Sequence, residues 1–169
     1  NNPINGIDPL GLATAITIGC KTSGNPFGHT AIAFTGQGVF TFGTGAAHPL
    51  GSSFTDYLDA QAKYRDTNVY ILPTTPAQEK AIADYLKKLK GKPLPNAKKE
   101  PLDAMKDNCN TRTMDGLNAG GIPLDRSAFP AELQRQLEDL MKATGRGFSM
   151  FHPKGAPSAA PYGSFNPAP

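Results

Sequence analysis

Residues 28–45 read Gly-His-Thr-Ala-Ile-Ala-Phe-Thr-Gly-Gln-Gly-Val-Phe-Thr-Phe-Gly-Thr-Gly. Two short runs rich in β-branched and aromatic residues, 29–34 and 39–42, flank Thr35-Gly36-Gln37-Gly38, a length and composition suited to a β-hairpin. Strand alternation sets His29, Ala31 and Ala33 on one face and Thr30, Ile32 and Phe34 on the other.

Upstream, Ala13 to Gly19 holds Thr14, Ile16, Thr17 and Ile18 and reads as a strand, followed by a Ser/Gly/Asn/Pro loop from Lys21 to Gly28. Downstream, Gly43 to Ser53 is a Gly-rich loop carrying His48. Ser53 to Tyr64 suits a short helix with Phe54, Tyr57 and Leu58 on one face, and Asn68 to Leu72 suits a strand. Thr75-Pro76-Ala77-Gln78 supplies an N-cap, a proline at the first helical position and a glutamine at the third, which is a capping-box start. Ile82, Tyr85, Leu86 and Leu89 form that helix's apolar stripe, and Gly91 with Pro93 ends it. Lys87, Lys88, Lys90, Lys92, Lys98 and Lys99 surround a Pro-rich loop there, favourable to the helix dipole and to solvation. Further helices are expected from Asn108 to Asn118 and from Pro130 to Ala143, the second capped by Gly145, with a last strand over 147–152. Residues 153–169 are rich in Pro, Gly, Ala and Ser, a tail composition unable to build a core by itself.

The 169 residues are 38% hydrophobic and 18% charged, with 18 Gly and 16 Pro and a net charge of +3. This composition fits one loop-rich globular domain, excludes a coiled coil, and falls short of a dense nucleic-acid-binding surface. Cys20 and Cys109 allow at most one disulfide, so the fold rests on its core. No run approaches the ~20 apolar residues of a membrane span. No Cys/His spacing suited to a metal and no phosphate-binding loop occurs, so neither a metal nor a cofactor is expected. The chain opens on Asn1 rather than Met and is expected to be part of a longer polypeptide.

Two residues stand out chemically. Asp107-Asn108-Cys109-Asn110-Thr111 leads into a helix, and a cysteine in a first turn meets unpaired backbone N–H groups and the positive end of the dipole, which stabilise a thiolate. His29 opens a strand right after a flexible loop, with Gly28 leaving room for a neighbour or a substrate. A histidine remote in sequence can lie beside a cysteine in space, hold its thiolate and protonate a leaving group. Cys20 reads as structural.

Gly28-His29-Thr30-Ala31-Ile32, then Phe40-Thr41-Phe42-Gly43-Thr44-Gly45, then Asn108-Cys109-Asn110-Thr111 resemble the motifs of the permuted papain-fold peptidases of the PPPDE group. That resemblance implies an α+β fold, a small antiparallel sheet packed against a helix with the nucleophile at its N-terminus. It also implies Cys109 as nucleophile, His29 as general base and acid, and an orienting residue for which Thr41 and His48 are the candidates. The oxyanion would meet the Cys109 N–H and a second donor, Asn108 or Gln37.

Residues 3–12, with Pro3, Asn5, Asp8, Pro9, Gly11 and Leu12, are similar to the motif that ends the core of RHS-repeat proteins, where a C-terminal toxin begins. This implies three parts: a core junction over 1–12, a toxin over 13–152 and a tail over 153–169. The implied partners are the RHS cage of the same polypeptide, a cognate immunity protein and a macromolecular target in a neighbouring bacterium. A reducing cytosol suits a free nucleophilic cysteine. The leading expectation is therefore an RHS effector acting as a Cys/His hydrolase on an amide or related acyl bond. Three alternatives stand beside it: a lipid-directed acyl hydrolase or acyltransferase of the same fold; a nuclease using His29, His48 or His152 with Lys87, Lys88 or Lys99; and a non-catalytic binder.

Overall fold

The computed structural model describes residues 11–23, 25, 27–44, 47–156 and 159–169. Residues 1–10, with most of the junction-like motif, and Gly45 lie outside the described residues. Among the described residues five strands form one antiparallel sheet: β1 (Ala13–Gly19), β2 (His29–Phe34), β3 (Gly38–Thr41), β4 (Thr67–Pro73) and β5 (Phe148–His152), in the order β3-β2-β1-β4-β5. The α-helices among them are α1 (Phe54–Ala62), α2 (Pro76–Lys87), α3 (Pro101–Lys106), α4 (Cys109–Ala119) and α5 (Pro130–Thr144). The architecture is α+β, as the sequence predicts.

The hairpin forms as its alternation requires. Ala31 faces Thr41 and Phe34 faces Gly38 across β2 and β3. Ile16, Ile18, Ile32, Phe34, Phe40 and Tyr70 point to one side of the sheet, where α2, α4 and α5 bury them with Ile82, Leu86, Met114, Leu117, Leu133 and Leu137. Ala15, Ala31, Ala33, Val39 and Val69 point to the other, beneath Phe54, Tyr57 and Leu58 of α1. Each large side chain so buried stabilises the fold by about 1.5–3 kcal/mol. With both faces covered, β1 is buried from Thr14 to its end.

The second core has a closing element that composition conceals. Residues 153–169 read as a tail, yet Ala159, Tyr162 and Phe165 are buried, the latter two in a 3₁₀ turn (Ala160–Phe165) packed on α1. Phe54 meets the rings of Tyr162 and Phe165 edge-on at 6.0 and 5.7 Å. The Asn166 side-chain oxygen accepts from the Thr55 N–H at 3.0 Å. The tail expectation is therefore corrected: two aromatics spaced by a single 3₁₀ turn anchor an otherwise punctuating sequence. The helix α3 was likewise not expected; none of its residues is buried.

His29 opens β2 opposite Gly19, the last residue of β1. Gly28, just before it, has φ of 88°, and a Cβ there would meet the Gly19 carbonyl oxygen at 2.5 Å. Only glycine makes this close approach, so its role is to admit the neighbouring strand.

Phe165→Ala is expected to lower stability by about 3 kcal/mol, as other large-to-small core substitutions do, read as a drop in the urea midpoint with an unchanged slope.

Candidate active site

Helix α4 begins where the sequence placed it. The Asn108 side-chain oxygen accepts from the Thr111 N–H at 2.9 Å, and the Thr111 hydroxyl oxygen accepts from the Asn108 N–H at 2.9 Å. This reciprocal cap makes Cys109 the first helical residue. The N–H groups of Cys109 and Asn110 have no carbonyl four residues back within the helix, and the positive dipole end lies at the sulfur.

The Asn108 amide nitrogen donates to the carbonyls of Ala104 at 2.9 Å and Ala128 at 3.3 Å. Both its hydrogens are thus committed. Asn108 holds the helix start and is not an available oxyanion donor, which corrects that expectation. Gln37 lies in the hairpin turn, where its amide donates to Glu79 at 3.3 Å, and so takes no part here either.

His29 is buried, and its Nε2 is 2.8 Å from the Thr41 hydroxyl. Cys109 lines the same cleft as His29, and His29 and Thr30 lie close enough to its thiol to favour the ionised form. With Nε2 on Thr41, Nδ1 is the nitrogen left for the sulfur. Burial pushes the Cys109 thiol up; the hydrogen bond and charge of His29, with the donors of Thr30, outweigh it and bring the thiol to about 7. The structure therefore brings Cys109, His29 and Thr41 together in one series.

Beyond Thr41 the series continues to a residue read from sequence only as an apolar helix position. The Tyr57 hydroxyl lies 3.4 Å from that of Thr17, and Thr41 is near enough to bear on its phenol. Burial holds its phenol far above the usual range, with smaller opposing contributions from Thr17, Arg65 and Thr41. Tyr57 stays a neutral hydroxyl. His48 packs its ring edge-on against Tyr57 at 5.4 Å. Burial lowers its pKa, Asp56 opposes this and the charge of His29 adds to it. Of the two orienting candidates, Thr41 holds the His29 nitrogen and His48 lies behind Tyr57.

His152 is buried in β5 with its ring against Tyr162. It occupies the same row as His29, but β1 and β4 intervene, a gap of about 14 Å at normal strand spacing. The histidines do not converge as one cluster. Among the described residues no group of three His, Cys, Asp or Glu side chains stands ready to hold a metal ion. Cys20 and Cys109 are both free, and Cys20 is exposed.

Cys109 and His29 open onto a cleft of about 320 Å³, walled chiefly by Phe27, Phe42, Leu94, Met105 and Phe129. Behind it Arg112 supports the helix start. This buried guanidinium donates to both oxygens of Asp107 at 2.6 and 2.7 Å and to the carbonyls of Lys92 and Pro93 at 2.8 and 3.2 Å. It also lies 4.9 Å from the Phe42 ring centre. Arg112 thereby ties the 92–93 loop, the residue before the cap and the cleft wall into one unit. No local signal reveals this, because its partners come from three separate segments.

Comparison with protein-family models, with curated proteins and with solved structures found no match.

In a Cys20→Ser background, alkylation of Cys109 by iodoacetamide is expected to accelerate with pH about a midpoint near 7. A lowered thiol pKa favours the thiolate at neutral pH. Removing His29 leaves burial unopposed by its largest counterweight, so His29→Ala is expected to move the midpoint above the ~8.5 of an ordinary thiol. Arg112→Ala is expected to cost about 2 kcal/mol, since it removes the charge-assisted hydrogen bonds of a buried guanidinium to Asp107, Lys92 and Pro93, read by urea denaturation.

Proposed function

We propose that this protein is a thiol hydrolase that cleaves an acyl bond through Cys109, with His29 as the base and acid and Thr41 as the residue that orients His29. The observation that carries this reading is the placement of Cys109 at the head of α4, on the same cleft as His29, whose Nε2 is 2.8 Å from the Thr41 hydroxyl. Structural thiols are usually raised by burial, whereas this one is lowered, as a nucleophile working near neutral pH requires.

In the proposed reaction Nδ1 of His29 accepts the thiol proton, while Nε2–H donates to the Thr41 oxygen and keeps the ring facing the sulfur. The thiolate attacks the carbonyl carbon. The resulting oxyanion lies against the Cys109 N–H and the helix dipole. Collapse expels the leaving group, which takes the proton from Nδ1, and leaves an acyl thioester on Cys109. His29 then takes a proton from water, whose oxygen attacks the thioester, and returns it to the sulfur. Tyr57 acts behind this chain by restraining the Thr41 hydroxyl.

A sheet whose His strand precedes, in sequence, a helix headed by the nucleophile supports a permuted papain-like reading of the α+β fold. The junction-like sequence over 3–12 supports the further reading that the domain is an effector carried by an RHS protein, with an immunity protein as its natural inhibitor.

The test measures turnover of p-nitrophenyl acetate and growth of bacteria expressing the chain. Cys109→Ala is expected to abolish both the turnover and any growth inhibition, and His29→Ala to lower turnover by about 10²–10⁴-fold. Thr41→Val is expected to cost about tenfold, the worth of one hydrogen bond, with Thr41→Ser restoring it. Folded Cys109→Ala protein that retains wild-type turnover and growth inhibition would contradict the proposal.

A further inference from the structure

We infer that the mouth of the cleft docks on an anionic lipid bilayer and that the acyl bond attacked is a phospholipid ester, an inference that rests on the thiol-hydrolase reading. Three large apolar side chains of the cleft lining stand exposed, Phe27 at 55%, Met105 at 45% and Phe129 at 43%, and Leu102, on the same helix as Met105 but outside the lining, is 76% exposed. They come from three separate segments: the loop before β2, the helix α3 and the cap residue of α5. Phe27 and Phe129 already touch across the mouth, their ring centres 6.0 Å apart. Scattered surface hydrophobics need no explanation, but a cluster gathered at the opening of a nucleophile's cleft marks a contact surface.

The charge around that rim selects the partner. Residues 87–106 carry seven lysines against Glu100 and Asp103, in a chain whose net charge is only +3. Lys98 and Lys99 are exposed just before α3 and Lys106 is exposed as its last residue, and α3 buries none of its own side chains. An apolar rim bordered by lysines is the pattern of a surface that inserts shallowly among anionic headgroups. No helix among the described residues is long and apolar enough to cross a membrane, so the contact is peripheral.

The interior of the cleft agrees with the same substrate. Among the described residues its lining contains no lysine or arginine, its one acid, Asp107, is held by Arg112, and Asn25 and Asn108 are its amide side chains. An acyl chain makes no demand for hydrogen bonds from the Phe, Leu, Met, Pro and Ala side chains that form most of the wall, whereas an extended peptide would bring more amide groups than these few polar groups satisfy. The ester carbonyl of a phospholipid lies at the base of the headgroup layer, within reach once the rim has inserted. The Cys109 thiolate would form a C–S bond to that carbonyl carbon as the C–O bond breaks. The lysophospholipid oxygen takes the proton from His29, and water then releases a free fatty acid and restores the thiol.

The test incubates the full chain with vesicles of phosphatidylcholine and phosphatidylglycerol in equal parts. It measures sedimentation with the vesicles and release of fatty acid, alongside turnover of soluble p-nitrophenyl acetate. The wild type is expected to bind and to release fatty acid. A triple variant, Leu102→Asp with Lys98→Glu and Lys99→Glu, alters exposed residues outside the cleft lining. It is expected to lose about thirtyfold or more in vesicle binding and lipid hydrolysis, with turnover of the soluble ester unchanged. A wild type that turns over the soluble ester but neither binds vesicles nor releases fatty acid overturns this inference and leaves the thiol-hydrolase reading standing, as does preferential cleavage of an apolar soluble peptide. A wild type inactive on both esters, with Cys109 no more reactive toward iodoacetamide than a free thiol, overturns the hydrolase reading and this inference with it.

Discussion

The Asn108 cap fixes Cys109 at the first position of α4, and the packing of α4 along β2 then carries that sulfur to His29 at the strand's first residue. Neither half suffices alone. A thiol at a helix start gains only the dipole and free N–H groups, and a histidine at a strand start is by default an ordinary polar residue. Their meeting requires β1 and β2 to end together, which the close approach of Gly28 to Gly19 permits. It also requires α4 to lie flat on the sheet, which Met114 and Leu117 secure from the core side.

The energetics at this junction run against burial. Removing a thiol from water disfavours its ionised form, yet His29 and Thr30 more than offset that cost. The offset depends on geometry, because a histidine free to rotate would not keep one nitrogen on the sulfur. Thr41 supplies the restraint from the partner strand, and Tyr57 and Thr17 continue it beneath α1. A polar series of this kind is stable inside an apolar layer only when each member finds a partner. The second core, including the C-terminal aromatics, thus protects the site from behind although it contributes no reactive group.

Much of this was legible in the residues. Turn chemistry and alternation located the hairpin, the capping box located α2, and the run from Asp107 to Thr111 located the start of α4. The resemblance pointed to Cys109 and His29 and left Thr41 and His48 open as the orienting residue; it is Thr41 whose hydroxyl lies 2.8 Å from the His29 ring nitrogen. What stayed hidden depends on distant contacts. Tyr57 looks like any apolar-stripe residue until α1 folds over β1 and β3, and Arg112 finds partners only after the 92–93 loop and α3 have packed. Asn108 was misread because its amide could serve either a cap or a substrate, and the carbonyls of Ala104 and Ala128 decide for the cap. Composition misled at the C-terminus, where Pro and Gly set the average but Tyr162 and Phe165 set the structure.

Mass spectrometry of the chain, quenched in acid during turnover of an activated acyl ester, reads the nucleophile itself. One acyl group, mapped to the peptide containing Cys109, is expected to accumulate in the wild type and to fail to accumulate in a folded His29→Ala protein. Continued turnover with the acyl group on Cys20 or another residue, or equal labelling of Cys109 without His29, would contradict the roles proposed for Cys109 and His29.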